Sequence, residues 1–135
     1  MTTLFVDANV FLRFFTIDDD GQHKRATELF QSAAAGKVKL VTGPPVLFEI
    51  AWTLRSAYSL SRNQVVDVLA AIVALPCLTL TDASLAEEAI ELARSSSQEF
   101  ADAYIAAAAA RAGATEIATF NQKHFEKLGA KIHRF

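Results

Sequence analysis

A chain of 135 residues with 52% apolar and 21% charged residues has enough apolar material for one packed core and no room for a second catalytic domain. That balance excludes disorder, and a formal charge of −2 with an isoelectric point near 5.9 excludes a nucleic-acid coating protein with a generally basic surface. A nuclease built on acidic metal ligands stays compatible with it, provided that Lys and Arg residues are placed locally to meet phosphates.

The N-terminal Met-Thr-Thr-Leu-Phe-Val-Asp has no basic stretch leading into an apolar one, so no signal peptide is expected and a cytoplasmic protein is. The apolar run at 3 to 6, ending at Asp7, reads as a buried strand that leads directly into a helical segment at 10 to 15. After the polar break Asp18-Asp19-Asp20-Gly21, the spacing of Ala26, Leu29, Phe30 and Ala33 predicts a helix over 22 to 35, with Gly36 as its C-terminal cap. A second strand is expected at 39 to 42. Gly43-Pro44-Pro45 then opens a helix to about 58 with proline in its first turn.

Ser61 with Gln64 fits a capping box for a helix that Pro76 stops, and residues 77 to 80 read as a third strand containing the lone Cys77. Cys77 is expected as a small core residue. Ser84 with Glu87 suggests another capping box, for a helix to about Arg94, followed by a polar connection at Ser95-Ser96-Ser97. The Ala-rich stretch from 101 to 112, closed by Gly113, is a further helix. A fourth strand is expected at 116 to 119, a short helix at 121 to 128, and an edge strand at 131 to 134. Strands alternating with helices in a single domain over 1 to 135 imply an α/β fold with a parallel sheet. Ligands of such sheets collect outside the carboxyl ends of the strands.

Three acids lie near that edge. Asp7 closes the first strand, where it serves as an N-cap or a site carboxylate, or as both. Glu49 sits among Val46, Leu47, Phe48, Ile50, Ala51 and Trp52, an apolar setting that an ionised carboxylate tolerates with a metal, with a salt bridge to Arg55, or at an exposed flank. Asp102 stands in the first turn of the Ala-rich helix, where the helix dipole alone would favour it. Three carboxylates gathered at one place repel one another unless a cation neutralises them, and oxygen-only ligation selects a hard ion such as Mg2+ or Mn2+.

The segments Phe5-Val6-Asp7-Ala8-Asn9-Val10-Phe11-Leu12, Phe48-Glu49-Ile50-Ala51-Trp52, Phe100-Ala101-Asp102-Ala103-Tyr104-Ile105-Ala106-Ala107 and Ala118-Thr119-Phe120-Asn121-Gln122-Lys123-His124-Phe125 resemble, in order and spacing, the four signature blocks of PIN domains. Among these the chain is similar to the VapC toxins of type II toxin-antitoxin pairs. The resemblance implies a three-layer α/β/α sandwich around a parallel sheet of four or five strands in the order 3-2-1-4-5. It also implies a metal-dependent endoribonuclease, with Asp7, Glu49 and Asp102 as the metal-holding catalytic acids and hydrolysis that leaves a 5′-phosphate and a 3′-hydroxyl. An RNA substrate, a small VapB-like antitoxin and a homodimer are the partners it implies.

The fourth block departs from the fullest family pattern, because Asn121 and His124 are both non-acidic where many PIN domains carry an acid. Asn121 either holds a metal-bound water or caps the last helix, and Thr119 matches a supporting hydroxyl. The missing charge predicts one tightly held ion rather than two. Arg13, Arg55 and Lys123 are candidate phosphate contacts, Glu99 a further acid near the site, and His124 and His133 acid-base candidates or ordinary surface histidines. A dehalogenase-type phosphotransferase would need an acid where Asn9 stands, and a receiver domain would need one where Thr42-Gly43-Pro44 ends the second strand. The remaining rival is a catalytically weak or inactive PIN domain that binds RNA or protein.

Overall fold

The computed structural model describes residues 1–135. Three short parallel strands form its sheet: β1 (Thr2–Phe5), β2 (Val38–Thr42) and β3 (Leu78–Leu80), hydrogen-bonded in the order β1-β2-β3. Helical pairs make both crossovers. Between β1 and β2 lie α1 (Ala8–Phe15) and α2 (Asp20–Ala34), and between β2 and β3 lie α3 (Pro44–Ser56) and α4 (Arg62–Val73). The chain then continues through α5 (Ala83–Ser96), α6 (Phe100–Arg111) and α7 (Gln122–Lys127).

The local signals explain most boundaries. Asp19 caps α2 by accepting from the Gln22 N–H, and α2 ends where Gly36 adopts a φ of +78°. There the Lys37 and Gly36 amides donate to the carbonyls of Ser32 and Ala33, the paired closure that a left-handed residue permits. Ser61 and Gln64 form the reciprocal capping box of α4. The core is one cluster that includes Phe11, Leu40, Leu47, Leu69 and Ile72, all fully buried.

Several expectations need correction. The sheet has three strands, not four or five; β3-β2-β1 is the first part of the implied order, and the segments at 116 to 119 and 131 to 134 are not strands. They meet only through one isolated parallel bridge, Ile117 with Ile132, carried by two backbone hydrogen bonds. The segment around Ile117 is short, flanked by Gly113-Ala114 and Ala118, small residues with little β-propensity and little area to pack on a sheet. It makes no backbone hydrogen bond with β1, whose Phe5 remains 63% exposed.

The Ser84–Glu87 capping box is absent. Instead α5 starts one residue after Asp82, which takes a left-handed φ of 55°, so Ser84 lies inside the helix and its hydroxyl accepts from Arg111. The polar connection shrinks accordingly, because α5 runs on through Ser96. Cys77 precedes β3, half-buried and packed against the main core rather than within it.

Two contacts place the carboxyl edge of the sheet. The buried Thr42 hydroxyl donates to the Val6 carbonyl at 2.9 Å, and the Val6 amide donates to Val41 at 2.8 Å, so β1 stays registered on β2 up to Asp7. Gly43 follows at once. A Cβ there would stand 2.9 Å from the Thr81 hydroxyl, so the turn after β2 approaches the turn after β3 as closely as glycine allows.

Candidate active site

Asp7 is the N-cap of α1, with Oδ1 accepting from the Ala8 amide at 2.8 Å. The side chain is exposed, and its second oxygen has no protein partner. The expected dual role is therefore geometrically open, since a cap uses one oxygen and leaves the other for a ligand.

Glu49 lies in the second turn of α3, exposed and with neither a hydrogen bond nor an ion pair. The salt bridge considered for it with Arg55 does not form. Arg55 instead binds Glu99 through Nε at 3.1 Å and a terminal nitrogen at 2.9 Å, and its other terminal nitrogen donates to the Leu60 carbonyl. Glu99 is thereby committed to Arg55. That pairing ties the end of α3 to the start of α6, alongside the packing of Phe48 against Phe100 and Tyr104 with ring centroids 5.4 and 4.9 Å apart.

Asp102 occupies the first turn of α6, with its side chain 21% exposed. Here the structure joins the third and fourth blocks. Oδ2 of Asp102 is 3.3 Å from Nδ1 of His124, and the Asn121 amide lies 2.9 Å from the same ring nitrogen. The Asn121 amide donates to Nδ1 when that nitrogen is unprotonated, whereas a proton on Nδ1 faces the Asp102 carboxylate, so the single ring nitrogen serves one neighbour at a time. Thr119 completes the group, its hydroxyl accepting from the Asn121 backbone N–H at 3.0 Å.

Asn121 stands at the N-cap position of α7 yet makes no side-chain cap bond, so the capping role considered for it is not the one adopted. Its amide meets the His124 ring instead. His133 pairs with Glu116 at 3.3 Å.

The three acids are carried by neighbouring elements, with α3 packed against both α1 and α6. Their side chains are not closed into one cage, and no set of three His, Cys, Asp or Glu residues lies within reach of a common ion. In donor chemistry the residues fit a hard divalent cation: all three offer carboxylate oxygens, and Asp7 and Glu49 have no cationic partner. Of the candidate phosphate contacts, Arg13 is committed to Asp18, Gln22 and Tyr58. It lines a cleft of about 420 Å3 between α1 and α2, together with Asn9 and Arg25. Lys123 is exposed and unpaired.

Asp18 is held below its ordinary value of 3.8, chiefly by the hydrogen bond from Tyr58 and then by that from Thr16. Tyr104, two residues beyond Asp102, is raised above 10.0 by burial and then by the charge of Asp82, with Arg111 opposing.

The PIN-domain family model matches residues 4–131, from β1 to the segment after α7. The chain belongs to the PIN-domain family. PIN domains are generally metal-dependent nucleases, so the α/β fold and the nuclease class both follow from membership. No curated protein and no solved structure matched the chain. No helix of this PIN domain is long and apolar enough to cross a membrane.

From the sequence His124 reads as an acid-base group or an ordinary surface histidine, although its i+3 spacing from Asn121 is visible there. Phe120 and Phe135 stay exposed, against the core or dimer-interface role expected of the chain's phenylalanines in general. The available signal was a large aromatic residue, Phe120, between two polar candidates in a segment too short to bury it.

Proposed function

We propose that this PIN domain is an endoribonuclease dependent on Mg2+ or Mn2+ and acts as the toxin of a VapBC-type pair. The observation that carries the reading is the Asp102–His124–Asn121–Thr119 group, which unites two separated signature blocks beside the α3 helix that bears Glu49. Asp7, Glu49 and Asp102 would hold the ion. Such an ion supplies activation of a water and stabilisation of charge on the phosphate oxygens.

The chain's own residues do the positioning. His124, 3.3 Å from Asp102 and contacted in turn by Asn121, would orient the Asp102 carboxylate, as outer partners of metal-binding carboxylates do. The Asp7 cap aligns its carboxylate with the end of β1 and leaves one oxygen free. The Arg55–Glu99 pair and the Phe48–Phe100–Tyr104 packing hold α3 against α6, which keeps Glu49 on the side of the fold that carries Asp102. The neutral Asn121 supports one tightly held ion in the free protein.

A homodimer is part of this reading. A groove of about 770 Å3 between α3 and α6 has Phe48 and Phe100 among its walls, with exposed Trp52 and Ile105 beside them, an apolar surface of the kind that associating proteins cover. The VapB-like antitoxin and a cytoplasmic location rest on the resemblance of the four blocks and on the character of the N-terminal residues.

Incubation of the purified protein with RNA and Mg2+ or Mn2+ tests the enzymatic claim. Cleavage should leave 5′-phosphates, stop with EDTA, and disappear in D7N and D102N. Binding of RNA without cleavage under any of these metals would favour the inactive-module reading instead.

A further inference from the structure

Phe120 and Phe135 are the features that the proposed chemistry leaves unexplained. Phe120 is 88% exposed and Phe135 71% exposed, yet their rings stack on each other with centroids 4.7 Å apart and planes 19° from parallel. His133 packs edge-on against Phe135 at 5.1 Å. The pair is held from below. The Ile117–Ile132 bridge fixes one chain segment beside the other, and the Thr119 hydroxyl fixes the turn that presents Phe120.

The location is specific. Phe120 lies between Thr119 and Asn121, so the platform adjoins the residue that contacts His124, whose ring nitrogen lies 3.3 Å from Asp102. Charge is distributed to match. Residues 121 to 135 contain Lys123, Lys127, Lys131 and Arg134 against a single acid, Glu126, whereas the whole chain has 13 basic and 15 acidic residues. None of those four cations is engaged in an ion pair.

We infer that the Phe120–Phe135 stack, in a C-terminal stretch that carries Lys123, Lys131 and Arg134, is a base-stacking platform that binds single-stranded RNA next to the scissile phosphate. The inference rests on the nuclease reading and names the form of its substrate. An exposed aromatic face accepts any base, because every base presents a π-surface, and cations beside it meet the connecting phosphates. Bases within a duplex are already stacked and turned inward, so a single strand is the form that fits. The outer face of Phe120 is the one offered, since its inner face is covered by Phe135. Recognition by stacking is tolerant of sequence, so this platform anchors the strand and leaves the choice of cleavage site to other surfaces.

The test is fluorescence anisotropy of a short labelled single-stranded RNA with the full chain in EDTA, where no hydrolysis is expected. Removal of one stacking ring in F120A should weaken binding by about 5- to 150-fold, with the far-ultraviolet circular dichroism unchanged. F120W should bind at least as tightly as the wild type, and the emission of the introduced indole should fall as RNA is added. In K131A/R134A, the dependence of log K on log salt should become shallower by about 0.7 for each phosphate no longer neutralised.

F120A binding single-stranded RNA as tightly as the wild type would overturn the inference and leave the stack to a protein partner. An equal loss for duplex RNA would also overturn it. Cleavage by the wild type with Mn2+, measured in parallel, separates the two claims. Active wild type with an indifferent F120A rejects the platform alone. Inactive wild type with a weakened F120A rejects the nuclease and leaves RNA binding at this surface.

Discussion

The Nδ1 of His124 lies 3.3 Å from Oδ2 of Asp102, which ties the last helix of the PIN domain to the first turn of α6. Both side chains are partly solvated, so the pair should contribute no more than about 1 kcal/mol to stability. Its value lies in orientation. H124A should therefore unfold close to the wild type while losing about 10- to 100-fold in Mn2+ affinity or cleavage, the range typical of outer partners of metal ligands. Denaturant titration alongside metal titration separates these effects, and a variant with full metal affinity would remove His124 from the site.

T42V tests how the sheet delivers Asp7. The substitution keeps shape but removes the donor to the Val6 carbonyl in a fully buried position. A loss of about 1 to 3 kcal/mol is expected from the unsatisfied carbonyl, read as a lower urea midpoint at constant slope. Because Val6 adjoins Asp7, RNA cleavage should fall as well.

The Asp18 cluster makes a prediction at low pH. The hydrogen bond from Tyr58, at 2.6 Å, is the main reason that the Asp18 carboxyl is lowered below 3.8. A carboxyl lowered by folding contributes stability that is complete above its unfolded value and is lost as pH falls through the folded one. Y58F should move the Asp18 titration upward toward 3.8 by carboxyl-detected NMR. Its stability deficit relative to the wild type should shrink as the pH is taken below that range, and a deficit that grew on acidification would contradict this assignment.

Tyr104 makes the opposite prediction at high pH. Burial raises its hydroxyl above 10.0, and Asp82 adds to the shift, so folding favours the neutral phenol. The stability it contributes is complete below pH 10 and is lost as pH rises through the folded value, because the unfolded chain ionises first. Y104F should abolish that alkaline loss. Thermal melts of the two proteins between neutral pH and the phenol range provide the comparison.

Legibility in the sequence followed the range of the interactions. The Asp7 cap, the Ser61–Gln64 box and the turn at Gly36 are set within a few residues of chain, and each formed as expected. The same local logic failed at Ser84, because the left-handed Asp82 starts α5 earlier and Arg111, far along the chain, takes the Ser84 hydroxyl. Residues 116 to 119 read as a strand, but a ladder needs a partner edge, and β1 makes no hydrogen bonds to them. At the site, the acids were visible singly. That Arg55 takes Glu99 rather than Glu49, and that His124 comes within 3.3 Å of Asp102, depends on how α3, α6 and α7 pack, which no spacing reports.

Asp7, Glu49 and Asp102 are proposed to share one divalent ion, which requires their side chains to close from the separated positions they occupy in the fold. Titration of Mn2+ into the RNA-free protein, followed by calorimetry, tests it most directly. The account predicts one tight ion per chain in the wild type, a loss in each of D7N, E49Q and D102N larger than the roughly tenfold expected for an outer partner, and a stronger second site in N121D. Two tight ions in the wild type, or an affinity unmoved by all three substitutions, would contradict it.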